Sequence, residues 1–89
     1  LSRETAETIR SYMRYNVENL YGDENFEGLQ VCAKTGTAEV NDGAPHSWFV
    51  GFSIDPKTPY AVVCVAENSG SGLSTAGKIV NKVMQAVCK

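Results

Sequence analysis

Seven consecutive apolar residues, Tyr60-Ala61-Val62-Val63-Cys64-Val65-Ala66, lie between two strong turn signals, Asp55-Pro56-Lys57-Thr58-Pro59 and Asn68-Ser69-Gly70-Ser71-Gly72. A run this short, rich in β-branched side chains and closed by Pro and Gly, is a strand rather than a helix. With no polar residue to mark a solvent face, it predicts burial on both faces in mid-sheet, over residues 60–67. Such a strand needs neighbours. One precedes it at 46–53, where Trp48, Val50 and Phe52 fall on one face and Phe49 with the small Gly51 on the other. Apolar residues on both faces place that strand inside the sheet as well. A further strand is expected at about 29–40, opening on the alternation Leu29-Gln30-Val31-Cys32-Ala33. Asn41-Asp42-Gly43-Ala44-Pro45 joins it to 46–53 as a hairpin, since Asp-Gly supplies the positive φ such turns use.

Helical patterns flank the strands. Ser2 can cap a helix over 3–20 in which Ala6, Ile9, Met13, Val17 and Leu20 share a face, with Gly22 as the stop and 22–28 as loop. Tyr12 and Tyr15 on that helix suit packing against further protein. At the other end, Ser74 or Thr75 caps a helix whose apolar stripe is Ala76, Ile79, Val80, Val83, Met84 and Val87. The fold class is therefore α+β, ordered helix, three-stranded antiparallel meander, helix. The Gly/Ser stretch 68–72 lacks the Gly-x-x-x-x-Gly-Lys pattern of a phosphate loop and reads as a linker.

At 89 residues the chain is at most one domain, and its core is small for its surface. A net charge of −2 argues against nucleic acid or an anionic membrane surface as partner. No apolar run nears the roughly 18 residues of a membrane span. Leu1 as first residue suggests a piece of a longer protein. Cys32, Cys64 and Cys88 make an odd count with no C-x2-C pair, so they read as small hydrophobes rather than a metal site with His46. No metal and no cofactor are expected.

Lys34-Thr35-Gly36-Thr37 follows the first alternating strand. Lys-Thr-Gly is one of three motifs, with Ser-x-x-Lys and Ser-x-Asn, of penicillin-binding proteins and serine β-lactamases. Together with Thr37-Ala38-Glu39 and the string Trp48-Phe49-Val50-Gly51-Phe52, it makes nearly the whole chain resemble the C-terminal part of the transpeptidase domain of a class B penicillin-binding protein. That resemblance implies a C-terminal fragment, residues 1–89, of the β-lactamase/transpeptidase-like α-β-α fold. It implies a parent that cross-links peptidoglycan: a serine is acylated by a D-Ala-D-Ala stem peptide and the acyl group passes to an amine, while β-lactams acylate the same serine. The parent is expected to be membrane-anchored on the extracytoplasmic face of the bacterial cell membrane.

The resemblance also implies roles. Lys34 places a positive charge beside the nucleophilic centre, Thr35 hydrogen-bonds the substrate carboxylate, and Gly36 lets substrate approach the backbone. The Thr37 N–H is one of two oxyanion donors, and the substrate peptide adds along the strand. Without the resemblance, Lys34 would be an ordinary exposed strand lysine. No serine has a lysine three residues on, and Ser-x-Asn is absent, so the fragment alone is expected to be inactive. Thr75-Ala76-Gly77-Lys78 has the spacing with threonine in place of serine and is a decoy. His46, the only histidine, reads as a structural residue opening the second strand rather than a base. The alternatives are a β-lactam sensor or non-catalytic homologue, or a serine β-lactamase. With an apolar third strand lacking its neighbour, the fragment is expected to self-associate.

Overall fold

The computed structural model describes residues 1–39, 41 and 43–89. The Asp-Gly turn expectation falls partly on Asp42 and the end of the first strand on Val40, both outside the described residues. The elements are α1 (Arg3–Asn16), β1 (Val31–Ala38), β2 (His46–Ser53), β3 (Ala61–Ala66) and α2 (Lys78–Cys88). The sheet is an antiparallel meander in the order β1-β2-β3, as the sequence pattern predicts.

Ser2 caps α1 by accepting the Thr5 N–H at 3.1 Å. The helix continues past Asn16 as a wide, π-type turn, Val17–Tyr21, closed by the Gly22 N–H on the Val17 carbonyl at 2.8 Å. Gly22 has φ 90°, which stops the helix where the sequence predicts. The expected apolar stripe of this helix is largely bare: Val17 is buried and Met13 half-buried, whereas Ala6, Ile9 and Leu20 are exposed. Tyr12 and Tyr15 are exposed as well. A short 3-10 turn, Asp23–Phe26, interrupts the expected loop and drives Phe26 into the core.

Pairing parity assigns the faces. Val31, Ala33, Ser47, Phe49, Gly51, Val62 and Cys64 share the side covered by α2, and Phe49 is fully buried there with Val80 and Met84. Phe26 stacks on Phe49 with centroids 5.7 Å apart, and Tyr21 meets the same ring tilted at 6.0 Å. Filling this position with one aromatic ring stabilises the fold by about 3–5 kcal/mol relative to alanine. Cys32 is buried on the opposite face. Beyond it, Trp48, Val63 and Val65 stand partly in solvent.

Further expectations are corrected. Among the described residues the 60–67 run is not mid-sheet and not buried on both faces: β3 is an outer strand whose residues alternate, with Val62, Cys64 and Ala66 turned to the core side and Val63 62% exposed. The reason is composition: apolar residues on a strand's outward face look in sequence like residues buried there. The last helix is capped earlier than expected. Ser71 accepts the Ser74 N–H at 3.4 Å, and the turn Gly72–Gly77 leads into α2, while Thr75 donates to the Ser69 carbonyl at 2.9 Å. Of the expected stripe, Ala76 in that turn and Val80 and Met84 in α2 are buried, but Ile79, Val83 and Val87 face outward.

The supposed linker is a packed element. Gly72 is buried so tightly that a Cβ there would come within 2.5 Å of the Trp48 carbonyl oxygen and 2.9 Å of Thr35 Cβ. Buried Ser47 fixes the same segment to β2, donating to the Ser71 carbonyl at 2.7 Å and accepting the Ala76 N–H at 3.1 Å. Neither contact has a sequence signature.

Candidate active-site edge

Lys34-Thr35-Gly36-Thr37 lies in β1, paired residue for residue with Val50, Phe49, Trp48 and Ser47 of β2. In an antiparallel pair, alternate residues turn both backbone groups toward the partner or away from it. Thr35 uses its outward N–H on Tyr21 and Val31 and Ala33 present outward carbonyls, so the odd-numbered residues of β1 form the outer edge.

That edge is closed stepwise. Arg14 Nη1 donates to the Val31 carbonyl at 2.6 Å, and its other nitrogen pairs with Asp23 Oδ2 at 2.8 Å. Asn16 Nδ2 donates to the Ala33 carbonyl at 3.0 Å. At Thr35, the backbone N–H donates to Tyr21 Oη at 3.1 Å and Lys34 Nζ donates to the carbonyl at 2.7 Å. Among the described residues, Thr37 is the first odd position whose outward groups meet no partner. The helix and its wide turn thus engage the edge through one carbonyl each at Val31 and Ala33, and both backbone groups are taken at Thr35, while Thr37 has no such partner among the described residues.

The four motif residues differ in surroundings. Lys34 is exposed on the face opposite α2, and Thr37 is exposed at the edge. Thr35 is half-buried, its Oγ1 3.2 Å from Tyr21 Oη. Gly36 faces Trp48, where a Cβ would sit 3.3 Å from Trp48 Cβ, so any side chain would crowd the indole. The structure therefore brings Lys34, Thr35 and the Thr37 backbone to one edge. Tyr21, Arg14 and Asn16 are the residues that sequence reasoning missed there. The only signal for Tyr21 was its place just before the helix-stopping Gly22.

His46 pairs with Ala38 of β1, next to Thr37. Its Nδ1 accepts the Asn68 N–H at 2.9 Å, which ties the end of β2 to the loop after β3 and gives the ring a structural use. Asn68 takes a left-handed φ of 52° and also donates to the Ala44 carbonyl at 2.8 Å. All three cysteines are free thiols, Cys32 buried and the others half-buried. Burial pushes the Cys32 thiol above its ordinary range, while the Arg14 and Arg10 guanidinium groups pull it down and Glu18 pushes it up. Among the described residues no group of three or more His, Cys, Asp or Glu is placed to hold a metal ion. Nor is any described helix long and apolar enough to cross a membrane.

Residues 1–85 match the family model described as penicillin binding protein transpeptidase domain, and the chain belongs to that family. It is 35% identical over 54 residues to the peptidoglycan D,D-transpeptidase PbpA of Mycolicibacterium smegmatis, a match covering 56% of this chain and 11% of that protein. The PbpA of Mycobacterium tuberculosis shows the same identity and coverage. The fold superposes on penicillin-binding protein A of M. tuberculosis, solved as an imipenem acyl-enzyme complex, with a TM-score of 0.82 and 26% identity, over 100% of this chain and 20% of that one. With PBP2 of Pseudomonas aeruginosa the TM-score is 0.76 at 29% identity, over 97% of this chain and 20% of the other. The chain thus spans about a tenth of the curated relatives it matches and a fifth of the solved ones. The expected helix, meander and helix of a transpeptidase-like fold are what these structures share with it.

Proposed function

We propose that this chain is the Lys-Thr-Gly wall of a peptidoglycan D,D-transpeptidase that cross-links cell-wall stem peptides and is acylated by β-lactams. One observation carries the reading: side chains engage the outer edge of β1 as far as Thr35, and among the described residues Thr37 is left free, beside an exposed Lys34. An edge backbone with a free donor and acceptor is a template for an extended peptide, and its N–H can stabilise a developing oxyanion. In this reading Thr37 supplies that N–H and the first peptide contact. Lys34 supplies positive charge beside the reacting serine and draws in the substrate's negative end. Thr35 binds the carboxylate through its hydroxyl, and Gly36 keeps the approach clear.

The nucleophilic serine and the Ser-x-Asn group belong to the rest of the protein in this proposal, as do its membrane anchor and its place on the extracytoplasmic side. No serine of these 89 residues has a lysine three positions on, so the isolated segment forms no covalent adduct with penicillin. It does associate with itself through the open edge of β3, a second part of the proposal. The test of function is acylation of the whole protein by a fluorescent penicillin. Lys34→Ala should slow acylation by about 10²-fold, the scale of losing one electrostatic contributor to an acyl-transfer site. Thr35→Val should mainly weaken binding. Wild-type acylation by both variants would remove this strand from the active site, and a labelled 9.6 kDa segment would refute its inactivity.

A further inference from the structure

We infer that Tyr21 is a positioning residue: it aims the Thr35 hydroxyl at an anion and ends the stretch of β1 along which a peptide can lie. The inference rests on the reading of residues 34–37 as the substrate wall. Tyr21 Oη has one proton and two lone pairs. One lone pair takes the Thr35 N–H, a donor that cannot turn away, at 3.1 Å. The same oxygen lies 3.2 Å from Thr35 Oγ1. A phenol is a readier donor and a poorer acceptor than an aliphatic alcohol, so the proton between the two oxygens belongs to Tyr21. Thr35 Oγ1 then accepts from Tyr21, and its own hydrogen is free to be donated. The chain N–H to Oη to Oγ1 polarises that hydrogen in the direction an anionic ligand needs.

The phenol is held for this task. The Tyr21 ring packs against buried Phe49 at 6.0 Å, and Asn25 Nδ2 donates to the Tyr21 carbonyl at 2.6 Å. Gly22 closes the turn beneath it with its N–H on Val17.

A second consequence concerns register. With the Thr35 N–H taken by Tyr21 and the Thr35 carbonyl by Lys34, a peptide can pair with Thr37 but cannot continue to Thr35. A chain running on would meet the phenol ring. A chain that ends there in a carboxylate instead meets the Thr35 hydroxyl and the Lys34 ammonium. On the proposed reading, a peptide paired antiparallel with β1 therefore ends at Thr35, where its carboxylate meets the hydroxyl that Tyr21 orients. Tyr21 sets that boundary without touching the reacting atoms.

The experiment uses the full-length transpeptidase with Tyr21→Phe, Thr35→Val and the double variant. A fluorescent penicillin and its carboxylate methyl ester are compared, and the dissociation constant of the first complex is separated from the acylation rate. Tyr21→Phe keeps the ring and its packing, and a thermal melt checks the fold. It is expected to weaken binding of the free acid about tenfold, the size of one hydrogen bond to a charged group. Its acylation rate should stay within about threefold of wild type, its affinity for the ester should not change, and the double variant should match Thr35→Val. An unchanged affinity for the acid in Tyr21→Phe, or equal losses for acid and ester, overturns the inference if Thr35→Val still distinguishes the two ligands. If Thr35→Val does not distinguish them, the substrate-wall reading fails first and the inference falls with it.

Discussion

The two outer strands of this sheet present the same kind of backbone edge and treat it in opposite ways. On β1 the outward carbonyls of Val31 and Ala33 are capped by Arg14 and Asn16, and Thr35 is capped by Tyr21 and Lys34. On β3, pairing parity turns Ala61, Val63 and Val65 outward with no strand beyond them among the described residues, and the strand carries no Pro and no charge. An uncharged, flat edge is a template for another strand. In the function proposed above, the edge left free in one short stretch is the selective binding site, and the uncharged edge of β3 is the association surface. On that proposal, selectivity on β1 would come less from the residues left free than from those already used.

Breaking the caps is the most direct way to test the contrast. Arg14→Ala should cost about 1–3 kcal/mol of folding stability, because it uncaps the Val31 carbonyl and removes the cation from the half-exposed Asp23 carboxylate. Chemical denaturation measures it, and a loss under about 0.5 kcal/mol would mean the β1 edge is not held by its caps. Ser47→Ala should cost about 1–3 kcal/mol, since two backbone groups of the 71–76 segment lose their buried partner. Hydrogen exchange should then rise at Ala76 before it rises in β1.

Cys32, beneath the closed edge, sharpens the comparison through pH. Burial raises its thiol pKa above the unfolded value, so the unfolded chain loses that proton first as pH rises. Stability associated with the neutral thiol is complete below the unfolded thiol range and is lost as pH climbs through it toward the folded value. Cys32→Ala should flatten this alkaline fall in melting temperature. Wild-type Cys32 should also alkylate at least about tenfold more slowly than half-buried Cys64 and Cys88. Equal rates at all three would show that α1 does not shelter β1.

The smallest stability effect is expected on the open side. Val63→Lys, at a residue 62% exposed, should change folding stability by no more than about 0.5 kcal/mol. Its effect should fall on association: light scattering should show the wild-type segment larger than one chain and the lysine variant as a monomer. A monomeric wild type would end the claim that β3 is an association surface.

The order of elements, the class of fold and the strand at His46–Ser53 follow from sequence alone, because turn residues and two-residue alternation are local properties. So does the family, carried by Lys34-Thr35-Gly36-Thr37 and Trp48-Phe49-Val50-Gly51-Phe52. Sequence could not decide which apolar strand lies in the middle. Val63 and Val65 are as apolar as buried residues, and only the pairing of β2 with both neighbours shows that β2 is the middle strand and β3 an outer one among the described residues. Nor could it show that Arg14, Asn16 and Tyr21 seal the β1 edge. Tyr21 and Thr35 are fourteen residues apart, and their meeting depends on a helix that widens before its stop and on an aromatic ring donated by β2. Local composition specifies which segments become strands and helices. Which backbone groups remain free to bind something else is settled only when those segments pack.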